Sequence, residues 1–376
     1  MRTCTRCILD TTVPGIRFDE AGVCHLCHVH TRLETAFAEQ ASGFRRLVDR
    51  IRAEGRGRPY DCIVPVSGGS DSSFALVHVV RDLGLRPLAC NLDNGWVSDI
   101  GRRNLATLVE RLGVPLKTFR FPWPDLSAAY VACLRASIPE VCLPCLVAVF
   151  SLAYRASAEE GVRTVIFSSS PLTEGIAPAR WSYVDGRYLR SVVARHGTPG
   201  ARRVVREFDR ISATSLLVGA LVRRTRVVML PLYVPWDERA NRDLLRSEYG
   251  WIDGGKHSDC LYTPFRDWFI ARKFGFDIRR LGRAALVRNG RLGREEALRY
   301  FEENPPAQPD DARMRLVLDR LGLGERDLEA LLDLPLQGPD DYATWRPALG
   351  VLRPFVREAC RRGILSAHVY DKFYNC

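Results

Sequence analysis

One short stretch constrains the fold more than any other. The apolar run Asp61-Cys-Ile-Val-Pro-Val66 reads as a buried strand. It breaks into Ser67-Gly68-Gly69-Ser70-Asp71-Ser72-Ser73 and resumes as the helical pattern FALVHVVRDLG. A strand that turns through two glycines straight into a helix is the start of a β-α-β unit. The glycines allow a sharp turn and a close backbone approach, and hydroxyls with helix-start N–H groups suit an anion such as phosphate. No Gly-Lys-Ser/Thr follows after four residues, so a Walker A loop is excluded.

The alternation continues. Strands are expected at 86–93, 116–121, 163–168 and 227–232, with helices near 99–112 and 146–160 and a Pro-rich loop after residue 121. The fold class expected is therefore α/β, a doubly wound parallel sheet with helices on both faces. Ligands of such sheets lie beyond the C-terminal strand ends, where Asn91, Asp93 and Asn94 close one strand and Ser168, Ser169 and Ser170 another. The expected organisation is a Cys-rich unit at 1–30 and an α/β domain at 31–235 that opens with an amphipathic helix at 31–56. Within it, 171–226 has no clear period and reads as an insertion or lid. A helical region at 236–303 completes the site, and 304–376 forms a linker and helical tail.

Twelve cysteines sharpen the picture. Cys4, Cys7, Cys24 and Cys27 form two C-x-x-C pairs at a spacing that suits tetrahedral Zn²⁺ and staples a segment lacking its own core. Cys142 and Cys145 form a third pair, and Cys260 is the candidate that completes a three-thiol site with one open position. A [4Fe-4S] cluster is one expected occupant of that site. Cys62, Cys90, Cys133, Cys360 and Cys376 stand alone and read as buried apolar side chains or idle thiols.

The net charge of +11 comes from 51 arginines and four lysines among the basic residues. That skew favours anionic ligands without predicting a nucleic-acid partner. No apolar run long enough for a membrane span and no secretory leader is apparent, so a cytoplasmic protein without a membrane partner is expected.

The Ser-Gly-Gly-x-Asp-Ser stretch resembles the PP-loop of ATP pyrophosphatases. That resemblance implies ATP as substrate, Ser67, Gly68, Gly69, Ser70, Ser72 and Ser73 around its β- and γ-phosphates, and Asp71 helping to hold Mg²⁺. It implies adenosine contacts near Asn91 and Asp93. Further stretches resemble the N-acetyl sugar amidotransferase family: Thr12-Val-Pro-Gly-Ile-Arg-Phe-Asp19, Tyr60 through Gly69, Cys142-Leu-Pro-Cys145, and Trp251 through His257-Ser-Asp-Cys260. Thr263 through Gly275 and Leu286 through Ala297 extend it, so the likeness spans about residues 3–303.

The resemblance implies conversion of an acetamido to an acetamidino group on a sugar, with Asp71, Cys142, Cys145 and Cys260 in the catalytic site. No glutaminase machinery is visible, so separate glutaminase and ammonia-channelling partners are expected. The chain departs from the family at Ser70, where a Lys is typical, after Cys145, and at Ser168-Ser-Ser170. These positions lie near the expected site, so the fold carries over better than the substrate. The competing reading is a sulfurtransferase, since PP-loop tRNA thiolases are similar in combining N-terminal Cys pairs with three further Cys. A zinc-containing nucleic-acid module with a decayed loop is a third, against which the intact loop argues.

Overall fold

A computed structural model describes residues 2–208, 225–255, 257–361, 370 and 374. The expected strands appear as β1 (Cys62–Pro65), β2 (Pro87–Asp93), β3 (Leu116–Arg120), β4 (Thr164–Phe167) and β5 (Arg226–Met229). All pair in parallel, in the order β3-β2-β1-β4-β5. The order reverses direction at β1, which places the topological switch point between β1 and β4.

Sixteen helices are described: α1 (His25–Ala41), α2 (Phe44–Glu54), α3 (Ser70–Arg81), α4 (Asp99–Leu112), α5 (Trp123–Arg135), α6 (Leu143–Glu159), α7 (Pro171–Glu174), α8 (Gly186–His196), α9 (Pro199–Phe208), α10 (Glu238–Tyr249), α11 (Thr263–Phe274), α12 (Arg279–Arg288), α13 (Arg294–Glu303), α14 (Asp311–Leu321), α15 (Glu325–Asp333) and α16 (Arg346–Arg361). The two-residue period of β1 divides its side chains between two cores. Cys62 and Val64 pack with Leu76 of α3, Leu108 of α4 and Leu245 of α10. Ile63 packs on the opposite side with Ala153 and Ala156 of α6.

Local chemistry explains two departures from the sequence pattern. The helix expected over 31–56 is two helices, because Ser42-Gly43 interrupts it and Gly43 becomes the N-cap of α2. Glycine carries the largest entropic cost of any ordinary residue inside a helix. The stretch after β3, expected as a Pro-rich loop, is instead the start of α5. Pro122 is its N-cap and Pro124 lies in its first turn, where a missing N–H costs nothing.

A third, larger core joins α5, α8, α9, α11 and α14 to Ile8, Leu9 and Leu26 of the Cys-rich unit. Residues 171–208, within the segment expected as an insertion or lid, hold α7 to α9, and α9 packs along α5. The part of that segment from 209 to 224 lies outside the described residues, as does Cys376. Cys62, Cys90 and Cys133 are buried, as solitary apolar thiols should be. No helix among the described residues is long and apolar enough to cross a membrane.

Candidate functional site

The glycine loop occupies the C-terminal end of β1. Gly68 adopts φ +89°, and a Cβ there would lie 2.1 Å from the Gly101 carbonyl oxygen of α4. Its own carbonyl accepts from Trp251 Nε1 (3.0 Å) and Asn104 Nδ2 (3.3 Å). The first glycine is thus demanded by close packing against α4. Hydroxyls close the loop on itself: Ser67 N–H donates to Ser72 Oγ (3.1 Å), Gly69 N–H to Ser67 Oγ (3.3 Å), and Ser72 Oγ–H to the Gly69 carbonyl (3.2 Å). Gly69 is the N-cap of α3 and makes no side-chain cap bond, so the helix start relies on groups outside its own first turn.

Beside the loop, a cleft of about 230 Å³ opens over the ends of β1, β2 and β4. Ser67, Asn91, Asn94, Ser168, Cys145 and Cys260 are among the residues that line it. It lies at the switch point, where an open α/β sheet binds its ligand. The predicted residues divide around it. Ser67, Ser72 and Asn91 face the cleft, although the Asn91 amide also donates to the Val66 carbonyl at 2.7 Å and ties the two strand ends together. Ser70 and Ser73 lie in the first turn of α3 outside the cleft lining. Asp93 turns aside: its carboxylate accepts from Arg120 Nε at 3.0 Å. Asp71 accepts from Trp236 Nε1 at 2.9 Å and does not line the cleft.

The carboxylate that does line it is Asp259, a position to which the sequence reading gave no role. Residues 258–261 run antiparallel to 96–98. Ser98 N–H donates to the Asp259 carbonyl (2.9 Å), Leu261 N–H to the Trp96 carbonyl (2.8 Å), and Val97 bridges Cys260. This stitch carries Asp259 onto the loop, where a Cβ on Gly69 would stand 3.0 Å from its carboxyl carbon. Burial pushes the Asp259 carboxyl above the usual carboxylate range, and a hydrogen bond from Ser67 partly offsets this. The available signal was its place beside Cys260, but the loop contact spans about 190 positions and no local pattern announces it.

Cys145 and Cys260 share the cleft, and Cys142 is the N-cap residue of α6 one turn earlier. Buried Tyr130 lies close enough to feel all three thiols, and Cys145 accepts from Asn94 Nδ2 at 3.2 Å. Burial pushes all three thiols up, Cys145 to about 11, so they are protonated at neutral pH. The trio gathers around one tyrosine; among the described residues, the sulfurs drawn together closely enough for a single metal ion are those of the N-terminal four.

The N-terminal cysteines are so placed. The four sulfurs of Cys4, Cys7, Cys24 and Cys27 lie within 4.8 Å of one another, and all four residues are buried. Adjacent sulfurs are separated by 3.6–3.8 Å. Zn–S bonds of about 2.3 Å in a tetrahedron require S···S of about 3.8 Å, so the donor set and its spacing fit zinc. Arg288, at the end of α12 and only 7% exposed, donates from Nε to Cys27 Sγ (3.2 Å) and from Nη2 to Cys7 Sγ (3.4 Å). Arg294 donates to the Cys4 and Cys7 carbonyls, and Arg280 pairs with buried Asp10 at 3.1 Å. Three arginines from α12 and α13 thus fasten the cysteine unit to the body of the protein.

Residues 247–353 match a family described as LPS biosynthesis protein WbpG-like, C-terminal domain. The matched stretch starts in α10, includes Asp259, Cys260 and all three clamping arginines, and covers a little over a quarter of the chain. The match supports an enzyme family of lipopolysaccharide and sugar biosynthesis. No curated protein matches the chain.

Proposed function

We propose that the chain is an ATP-dependent amidotransferase that turns the acetamido group of a sugar into an acetamidino group. The observation that carries this reading is the single cleft lined by Ser67 and Ser72 of the glycine loop and by the leading segment of the matched stretch, which delivers Asp259 and Cys260. The loop and α3 take the triphosphate of MgATP, with Ser67 and Ser72 on the cleft side; Asp71, in the first turn of α3 beyond the cleft lining, would serve the magnesium. Asn91 and Asn94 at the end of β2 meet the nucleoside.

The chemistry divides into two displacements. The acetamido oxygen attacks the α-phosphorus, the P–O bond to pyrophosphate breaks, and the amide N–H proton leaves. Asp259, the carboxylate within the cleft, accepts that proton. Ammonia then adds to the activated carbon, AMP departs with its oxygen, and the amidine remains. The ammonia comes from a partner glutaminase. Zinc at Cys4, Cys7, Cys24 and Cys27 holds the fold and takes no part in the displacements.

The test is AMP and pyrophosphate release from MgATP with an N-acetylated sugar phosphate, with and without ammonium. Ammonium-dependent AMP and amidine formation supports the reading. Absence of pyrophosphate release with every acetamido acceptor refutes it.

A second reading rests on one observation, the gathering of Cys142, Cys145 and Cys260 around Tyr130 beside the cleft. A sulfurtransferase would hold an iron–sulfur cluster there. Iron and sulfide analysis of anaerobically purified protein separates the two: zinc alone favours the amidotransferase, and four iron with four sulfide favours sulfur transfer.

A further inference from the structure

A second cavity, lined mainly by the matched stretch together with Glu174, Glu238 and Arg242, takes no part in the reading above. It holds about 970 Å³ between α11, α12 and the end of α13, and a typical small-molecule pocket spans about 300–1,000 Å³. It shares a wall with the nucleotide cleft. Asp259 and Cys260 face the cleft, whereas His257, Thr263 and Arg266 of the same segment face the cavity.

Its chemistry is specific. Arg242, Arg266, Arg279 and Arg283 line it together with Trp268 and Tyr300. Three of these arginines arrive with a carboxylate: Arg242 with Glu238 (2.7 Å), Arg266 with Asp267 (2.6 Å) and Arg279 with Asp277 (2.7 Å). Fixed pairs of this kind offer both donors and acceptors, as neighbouring sugar hydroxyls require. Arg283 differs. Its guanidinium carbon lies 3.2 Å from the centre of the Tyr300 ring, and it makes no ion pair or hydrogen bond among the described residues. Stacking fixes the plane of the group and leaves its N–H edge for an anion, the geometry that suits bidentate contact with phosphate. Glu303, which also lines the cavity, is exposed at its rim. The half-buried Trp268 ring provides a flat apolar surface for the C–H face of a pyranose.

We propose that this cavity is the acceptor site, that it takes a glycosyl phosphate, and that Arg283 contacts the phosphate. The inference rests on the amidotransferase reading for the purpose of the site, but not for the binding chemistry. Transfer requires the acceptor to lie next to the nucleotide, and the shared wall at 257–266 puts it there.

Equilibrium titration of the full chain without ATP tests this, with N-acetylglucosamine 1-phosphate, N-acetylglucosamine and inorganic phosphate as probes. The glycosyl phosphate should bind at least about tenfold tighter than the neutral sugar. Arg283→Met should weaken it about ten- to a hundredfold, the loss of one charge-assisted contact, while neutral-sugar and MgATP binding stay unchanged. Arg283→Lys, which keeps the charge, should recover part of the affinity and guards against a folding artefact. Equal affinity for charged and neutral sugars, no binding of either, or indifference to Arg283→Met overturns the proposal. Glycosyl-phosphate binding that follows these rules without any ATP turnover would sink the amidotransferase reading and leave the cavity assignment standing. Turnover whose sugar-phosphate KM ignores Arg283→Met would do the reverse.

Discussion

Replacing Arg288 by Met should loosen zinc without removing any ligand. Four thiolates around Zn²⁺ carry a net charge of −2, and the guanidinium reduces it to −1 inside a buried setting. Arg288 makes two contacts of 3.2 and 3.4 Å to sulfur, with a third, 3.9 Å approach to Cys24. A hydrogen bond to a charged group contributes about 1.5–3 kcal/mol, but sulfur is a weak acceptor and the longer contact adds little. Two contacts near the low end give about 2–3 kcal/mol, a loss in zinc affinity of roughly 30- to 150-fold. That overlaps the roughly 10- to 100-fold range found when outer partners of metal ligands are removed. Methionine keeps an unbranched apolar stem but ends short of the guanidinium, so the change removes the charge and the N–H donors while retaining part of the packing. Competition between the protein and a zinc-binding dye reads the affinity directly. Arg288→Lys should fall between the two, since it restores the charge but not the fork of donors. If Arg288→Met binds zinc as tightly as the unaltered protein, the guanidinium does not stabilise the thiolates and the clamp is only packing.

Three further outcomes concern the glycine loop and the cleft beside it. Asp71→Asn keeps the oxygen that accepts from Trp236, so melting should be unchanged while pyrophosphate release falls about a hundredfold or more; unaltered turnover would remove Asp71 from the site. Asp259 is raised by burial, so the native state binds its proton more tightly than the unfolded chain does. Its contribution to stability therefore falls as pH climbs from the ordinary aspartate value through the raised one. Asp259→Asn should flatten that decline and abolish turnover, which a pH series of thermal melts with and without the substitution would show. Gly68→Ala places a Cβ 2.1 Å from the Gly101 oxygen at a positive φ, so denaturant unfolding should show a loss of at least about 2–3 kcal/mol. A smaller loss would mean that α4 shifts easily away from the loop.

The legible parts of this protein are those whose information is local. The strand–loop–helix at 61–81 and the helix over 99–112 appear where their patterns place them, and the paired spacing of Cys4, Cys7, Cys24 and Cys27 foretells four sulfurs in contact. The α5 helix was obscured because two prolines look like a break and are in fact its opening turn. Asp259 was obscured for a different reason: a β-bridge to Val97 brings it to the loop, and no spacing rule encodes a contact formed by tertiary pairing. The arginines around the cysteines were hidden in a chain with 51 of them, where composition gives no hint of which one is buried.

The separation of Arg288 from the thiols it serves has a consequence during synthesis. Cys27 and Arg288 stand 261 positions apart. At about 5–20 residues per second, the four cysteines leave the ribosome roughly 13–50 s before their guanidinium does. For that interval the nascent unit must hold any captured ion with its full negative charge uncompensated, and so at the weaker affinity expected of Arg288→Met. The site reaches its final charge balance only when α12 and α13 arrive, so the ion-holding unit is completed by helices made about 250 residues after its own ligands.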